Sequence, residues 1–191
     1  MRKTRKAAAI LTAAAMAAVS AAPVMADEIK DLYDYETQAR EVETWNILHS
    51  QSAADLNVLT NLYDGLVEAD EYGKVVPAIA ESWETEDNGI TWTFHLREGV
   101  KWVDQNGNEK GEVTAQDFLT GLEWILNFHK NDAANTSMPM EMIVGAEDYY
   151  NMTSELDADA GFALTAESPE FADTVGIKAI DDYTLQYTCV S

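Results

Sequence analysis

The side chains that most often perform chemistry are scattered along this sequence without a catalytic or metal-binding spacing. The three histidines, at positions 49, 95 and 129, are too far apart for the ligand spacing of a zinc site. Adjacent carboxylates occur as Asp70-Glu71, Glu86-Asp87 and Asp181-Asp182. They fall at predicted turns, whereas catalytic carboxylate pairs normally come from separate elements. We therefore predict no enzymatic activity, no cofactor and no metal site.

Two further motifs favour structural roles over chemical ones. Asp104–Asn108 begins like a calcium loop, but Glu109 and Ala115 occupy the positions where the loop needs Gly and a bidentate Glu. An ordinary hairpin turn is the better interpretation. Cys189 is the only cysteine, and apolar and polar residues alternate in the run that precedes it. This pattern places Cys189 on the apolar face of a strand.

The N-terminus has the pattern of a secretory signal peptide over residues 1–26. Four basic residues within the first six precede an apolar stretch, Ala7–Ala22, and the small-residue site Val24-Met25-Ala26. The alternative is an uncleaved anchor helix, for which the apolar stretch is short. We expect a chain that starts at Asp27, has no lipid-bearing cysteine, does not insert into the membrane after cleavage, and is periplasmic or extracellular.

The charge excludes two classes of partner. Four of the 12 Lys and Arg residues precede position 27, and all 34 Asp and Glu residues lie at position 27 or beyond. The eight remaining basic residues leave a formal net charge of −26. A field of this sign repels phosphate backbones and anionic lipid surfaces. We therefore predict no nucleic-acid or peripheral membrane binding, and a monomer kept apart by self-repulsion.

The first elements after the signal segment are predicted to be a short strand and a helix. Val42–Trp45 suggests a short extended strand within a polar stretch. Leucines at helical spacing predict a helix over Asp55–Tyr63, with Asp55 as its N-cap and Gly65 just beyond its end.

A hairpin is the clearest local structure. Apolar residues alternate with polar ones over Ile90–Leu96, Glu81–Glu86 precedes them, and Asp87-Asn88-Gly89 supplies the turn. Lys101–Val103 is predicted to add a third strand, followed by an Asn106-Gly107 turn.

A helix over Ala115–Phe128 is expected to cover the apolar face of these strands. Thr114 is its predicted N-cap and Asp117 completes a capping box. Trp92 should be buried against this helix, and His95 should lie on the opposite, polar face. Trp83 and Trp102 are also expected to be core residues.

The remaining sequence predicts a loop region and a closing hairpin. Asn131–Ser168 is rich in small and polar residues, which suggests loops with one or two short helices. Val175–Ile180 and Thr184–Cys189 flank Asp181-Asp182 and form a last hairpin. The fold is therefore expected to mix α and β elements.

Four short pieces in a fixed order resemble a known family. They read L-Y-D-G-L (62–66), V-P-A-I-A-E-S-W (76–83), T-F-H-L-R-E-G-V-K-W (93–102) and T-A-Q-D-F (114–118). Their succession resembles the extracytoplasmic solute-binding proteins of the peptide ABC-importer family, the oligopeptide- and dipeptide-binding proteins.

The resemblance implies a periplasmic-binding-protein-like fold of type II, an α/β protein whose two lobes close on a ligand by hinge motion. Residues 27–50 would form the lead-in and first cleft strand of the large lobe, and residues 51–191 a small α+β accessory subdomain. Full members of the family continue for several hundred residues more, so we expect this chain to be an N-terminal part of a longer protein.

The resemblance also implies ligand-contacting positions. The first cleft strand of the family usually reads Glu-Val-x-Ser-Leu-Asp-Pro and pairs with the backbone of the bound peptide. Here Glu41, Val42 and Thr44 match or replace its first residues, while Trp45 opens a Trp-Asn-Ile run that departs from Leu-Asp-Pro. These four residues are the predicted contacts, and the implied partners are an oligopeptide and the transmembrane subunits of an ABC permease.

Three alternatives remain at the level of sequence. Within the family, the chain could bind nickel, a sugar or another small solute, since such members share the same motifs. Outside it, a secreted structural or adhesion module would use the small subdomain alone. An enzyme is the weakest alternative, because no residue constellation supports it.

Overall fold

The computed structural model describes residues 41–50, 52–130 and 136–191. The predicted signal peptide, residues 1–26, and the part of the predicted lead-in at 27–40 lie outside the described residues. In the described part of the chain, no helix has both the length and the apolar character to cross a lipid bilayer.

Helices and short strands follow one another along the described chain. The helices are α1 (Ala53–Leu59), α2 (Ala115–Leu126), α3 (Ser137–Met142), α4 (Ala146–Ser154), α5 (Ala158–Ala163) and α6 (Pro169–Ala172). The strands are β1 (Val67–Ala69), β2 (Val75–Pro77), β3 (Ala80–Thr85), β4 (Thr91–Leu96), β5 (Lys101–Val103), β6 (Glu109–Glu112), β7 (Ile177–Asp181) and β8 (Thr184–Thr188).

The main sheet is antiparallel, with the strand order β3-β4-β8-β7. The predicted β3–β4 hairpin is confirmed, and its turn places Asn88 and Gly89 at positive φ, 58° and 88°. The Asp87 carboxylate accepts hydrogen bonds from the backbone N–H and hydroxyl of Thr91. These bonds lower the pKa of Asp87.

The closing hairpin β7–β8 is also confirmed, and it completes the main sheet. Strand β8 pairs with β4, so that Trp92 lies opposite Tyr187 and Phe94 opposite Leu185. The two hairpins are some 90 residues apart in sequence, and only their pairing makes a four-stranded sheet.

Lys101–Val103 forms the predicted strand, β5, but the expectation that it extends the first hairpin is wrong. Strands β5 and β6 pair with each other in a separate two-stranded ribbon. The Asp104 carboxylate accepts hydrogen bonds from the backbone N–H groups of Asn106 and Asn108, which confirms the predicted turn. Trp102 is 42% exposed on this ribbon. Its predicted core position is therefore wrong, because all three residues of β5 are exposed.

Helix α2 covers part of the main sheet, as predicted, and ends at Leu126. Its capping box is present: the Thr114 backbone N–H donates to Asp117 Oδ2 at 2.7 Å. The helix buries Leu119, Leu122 and Leu126, which belong to the core that also contains Leu96, Ile177 and Leu185.

Trp92 does not lie in this core, so its predicted burial against α2 is wrong. The side chain is half-buried and lies near Met138 and Met142 of α3, while its Nε1–H donates to the carbonyl of Gly89 at 2.9 Å. The core shared with α2 contains Leu96, at the far end of β4 from Trp92. Trp83 is likewise half-buried rather than fully buried.

The segment predicted as loops with one or two helices contains α3, α4 and α5 in its described part. A buried polar network joins it to α2. Glu123 Oε1 accepts from the Tyr149 hydroxyl and from Asn127 Nδ2, each at 2.8 Å. Glu123 Oε2 accepts from Lys130 Nζ at 2.8 Å, and Lys130 also donates to the carbonyl of Leu164. These long-range partners order a stretch whose local sequence pattern is weak.

Candidate functional site

In the described part of the lead-in, residues 41–50, the first five residues show the side-chain alternation of extended chain, and residues 47–49 form a turn. Glu41, Glu43 and Trp45 are exposed, whereas Val42 and Thr44 are half-buried. This alternation of exposed and half-buried side chains has a period of two, which is typical of extended backbone. None of the described strands pairs with these residues. The prediction of a strand over 42–45 is therefore wrong for the described structure, because a strand requires a hydrogen-bonded neighbour.

Asp55 holds the lead-in against α1. The backbone N–H of Glu43 donates to Asp55 Oδ1 at 2.9 Å, and the hydroxyl of Ser50 donates to Oδ2 at 3.0 Å. The Asp55 side chain is almost completely buried, at 1% exposure. The prediction that Asp55 is the N-cap is wrong, because Ser52 precedes the first helical residue and Asp55 lies in the first turn.

The turn that follows residue 45 directs Trp45 into solvent. The Asn46 backbone N–H donates to Thr44 Oγ1 at 3.1 Å, and Asn46 Oδ1 accepts from the Leu48 N–H at 3.0 Å. The carbonyl of Trp45 lies 3.5 Å from the Tyr63 hydroxyl, at the outer limit of a hydrogen bond. The indole of Trp45 remains 61% exposed. It is therefore available to a ligand.

A second candidate site is an open apolar cavity of about 500 Å³ beside the main sheet. Aromatic and methionine side chains dominate its lining: Val67, Val75, Trp83, Trp92, Phe94, Met138, Pro139, Met142, Ile143, Tyr187 and Cys189. Cys189 follows β8, where its backbone bridges to Ile143. It lines this apolar cavity, which confirms its predicted position on the apolar face. Burial by this surface raises the pKa of Tyr187. Among the described residues that line this cavity, none has a charged side chain that would orient a polar ligand.

A third candidate site is a polar and acidic pocket of about 440 Å³. His95 Nε2 lies 2.9 Å from Glu84 Oε1, which confirms the polar face predicted for His95. Asp181 lines the same pocket. Its carboxylate accepts a hydrogen bond from the backbone N–H of Tyr183, and this bond lowers the pKa of Asp181. Over the described ranges, no group of three or more His, Cys, Asp and Glu residues could hold a metal ion.

Comparison with known proteins identifies the family. Residues 74–190 match the family model described as "Bacterial extracellular solute-binding proteins, family 5 Middle". The chain belongs to this family. The resemblance seen in the sequence motifs is thereby confirmed, and the matched residues include all of the main sheet and helices α2 to α6.

Individual relatives are similar over most of this chain. The oligopeptide-binding protein AliB of Streptococcus pneumoniae is 35% identical over 158 residues, which cover 83% of this chain and 21% of AliB. The oligopeptide-binding protein AmiA of the same species is 36% identical over 181 residues, covering 94% of this chain and 24% of AmiA. The chain therefore spans less than a quarter of the length of these relatives.

A solved structure shows the same fold. The substrate-binding domain of an oligopeptide ABC transporter from Bacillus anthracis superposes with a TM-score of 0.60 and 28% identity, covering 81% of this chain and 25% of that one. The predicted fold class, a part of a periplasmic-binding-protein-like α/β protein, is confirmed.

The four predicted contact residues lie together in this family 5 chain, at positions 41–45, but outside the range that the family model matches. The residue that sequence reasoning missed is Asp55. Its position just before leucines at helical spacing favours a capping role. Nothing in the local pattern indicates that its carboxylate binds a backbone N–H 12 residues earlier. The serines at positions 50 and 52, close before Asp55, could have suggested only a local polar cluster at the start of the helix, since serine and aspartate often bind nearby backbone groups.

Proposed function

We propose that this chain forms part of the solute-binding component of a peptide ABC importer and contacts an oligopeptide through residues 41–45. The chain is exported under the direction of residues 1–26, acts as a monomer without a lipid anchor, and passes its ligand to the transmembrane subunits of the permease. The names of AliB and AmiA, both oligopeptide-binding proteins, support the ligand class. The Bacillus anthracis neighbour supports the transport role.

One observation carries the site assignment. The backbone over 41–45 has the side-chain alternation of a strand, yet no described strand pairs with it. Such an edge can receive an extended peptide by strand addition, in which main-chain hydrogen bonds supply affinity without reading side chains. Val42 and Thr44 would contribute backbone groups, while the exposed side chains of Glu41 and Trp45 would contact the ligand directly.

The affinity of residues 27–191 alone should be weak. Binding sites for small ligands bury most of the ligand surface, whereas a single exposed segment covers one side of a peptide. We expect a dissociation constant no tighter than about 1 mM, or about −4.1 kcal/mol. Isothermal calorimetry that finds micromolar binding would contradict this assignment of the site.

Photo-crosslinking tests the contact itself, because covalent capture detects weak binding. A benzophenone amino acid in place of Trp45 should crosslink to biotinylated random pentapeptides supplied at millimolar concentration. The matched control is the same replacement of Trp102, which is also solvent-exposed but lies on the β5–β6 ribbon. Equal labelling at both positions would refute a peptide site at residues 41–45.

The same preparation distinguishes the other solutes. Calorimetric titration with Ni²⁺ or with common sugars should show no heat of specific binding. A saturable response to one of these, together with no peptide crosslinking at position 45, would replace the peptide assignment by a small-solute one.

A further inference from the structure

We propose that Asp55 is a positioning residue that determines which edge of the lead-in is open to a peptide, namely the edge that carries the backbone groups of Val42 and Thr44. This inference rests on the proposed function and deepens it, because it names the atoms that pair with the ligand and the side chain that presents them.

Backbone groups alternate between the two edges of an extended chain. In extended chain, the N–H and C=O of one residue point to one edge, and those of the next residue to the opposite edge. Asp55 binds the N–H of Glu43. The edge that carries the backbone groups of Glu43 therefore faces α1 and is occupied.

The contact at Trp45 agrees with this alternation of backbone groups. Its carbonyl, two residues after Glu43, approaches the Tyr63 hydroxyl, which follows α1. The opposite edge carries the N–H and C=O groups of Val42 and Thr44. No other described residue makes a hydrogen bond to these backbone groups, although the Thr44 side chain accepts one from Asn46.

The chemistry of Asp55 suits a fixed anchor. Both carboxylate oxygens are used, one by Glu43 and the other by the hydroxyl of Ser50. Ser50 Oγ in turn accepts from the Ser52 N–H at 3.3 Å. The side chain is buried at the start of α1, where a carboxylate is favoured by the helix dipole. The anchor therefore ties both ends of the lead-in to one rigid element.

Two substitutions separate anchoring from general stability. Asp55→Ala removes both acceptors. Asp55→Asn keeps one acceptor for the Glu43 N–H, and its amide can donate to the Ser50 hydroxyl with the direction of that bond reversed. The matched control is Asp157→Ala, which removes a carboxylate that accepts from the Ala160 N–H at the start of α5.

Amide hydrogen exchange measured by NMR on the whole chain gives the first test, which needs no ligand. In Asp55→Ala, the Glu43 amide should exchange at least about tenfold faster, the factor expected for loss of a hydrogen bond to a charged acceptor. Asp55→Asn and Asp157→Ala should change this rate by less than about threefold. Amides of β4 report whether the sheet is intact. An unchanged Glu43 rate in Asp55→Ala, with the β4 amides also unchanged, overturns the anchor.

Peptide crosslinking from position 45 gives the second test. Its yield should fall at least about tenfold in Asp55→Ala, following the lost hydrogen bond, and should be retained in Asp55→Asn and Asp157→Ala. If Asp55→Ala releases the Glu43 amide but leaves the yield unchanged, Asp55 does not position the peptide edge, although the proposed function stands. If the chain with Asp55 intact gives no crosslinking, the proposed function fails, and with it the assignment of the edge to a peptide.

Discussion

The sheet region and the lead-in are held in opposite ways. The four strands of the main sheet form two hairpins that are joined by the long-range pairing of β4 with β8. They enclose a core in which Leu185 and Phe171 have no exposed surface. The lead-in has no strand partner among the described residues, and its contacts with the rest include polar ones to Asp55, Tyr63 and Trp124. Substitutions in the sheet region should therefore change folding stability, and substitutions in the lead-in should change ligand contact.

The largest expected effect is on the core. Phe171 is fully buried and packs edge-to-face on Tyr149, with ring centroids 5.1 Å apart. Phe171→Ala should lower the free energy of unfolding by about 3–5 kcal/mol. Phe162, also a helical phenylalanine, is mostly exposed, so Phe162→Ala should cost less than about 1.5 kcal/mol. Urea denaturation followed by tryptophan fluorescence measures both, and equal costs would contradict the assigned core.

The buried ion pair should give an effect of similar or smaller size. Lys130→Met leaves the carboxylate of Glu123 buried without its cation, which should cost about 3–5 kcal/mol. Lys178→Met removes an exposed charge of β7 and should change the free energy of unfolding by less than about 0.5 kcal/mol. The same urea experiment compares them. Matching midpoints for the two variants would show that Glu123 and Lys130 do not support the sheet region.

A smaller effect should appear in acid, at the ribbon beside the sheet. Glu112 accepts hydrogen bonds from Lys101 Nζ at 2.8 Å and from the Tyr183 hydroxyl at 2.5 Å. These bonds, Lys101 first, lower the pKa of Glu112 from 4.5 to about 2. A depressed pKa stabilises the folded state above the ordinary value, and this contribution is lost as the pH falls from 4.5 towards 2.

The substitution Glu112→Gln should therefore flatten the dependence of the unfolding midpoint on pH over that interval. The matched change Glu109→Gln on the same ribbon leaves the contacts of Glu112 in place and should keep the slope. Thermal unfolding at closely spaced pH values measures it. A slope that persists in Glu112→Gln would assign the acid sensitivity to other carboxylates.

The smallest effect on stability is expected in the lead-in. Trp45 is a large aromatic residue, but its exposed indole buries little surface. Trp45→Ala should change the free energy of unfolding by less than about 0.5 kcal/mol, while the heat of peptide binding at millimolar concentration should disappear. A loss of stability comparable to that of Phe171→Ala would place Trp45 in the packed core and contradict its assignment to an exposed contact segment.

Local sequence signals determined the elements whose hydrogen bonds close within a few residues. The Asp87-Asn88-Gly89 turn, the capping box of α2 and the closing hairpin follow from the conformational preferences of their own residues. The ordered motifs also identified the family and, through it, the fold class. Each of these inferences depends on residues that are neighbours in the chain.

Tertiary structure alone decided which elements meet. The pairing of β4 with β8, the separation of the β5–β6 ribbon and the place of Trp92 beside α3 depend on contacts between distant residues. The same holds for the candidate site. The strand predicted over Val42–Trp45 has no partner strand among the described residues, and only folding brings Asp55 to the N–H of Glu43.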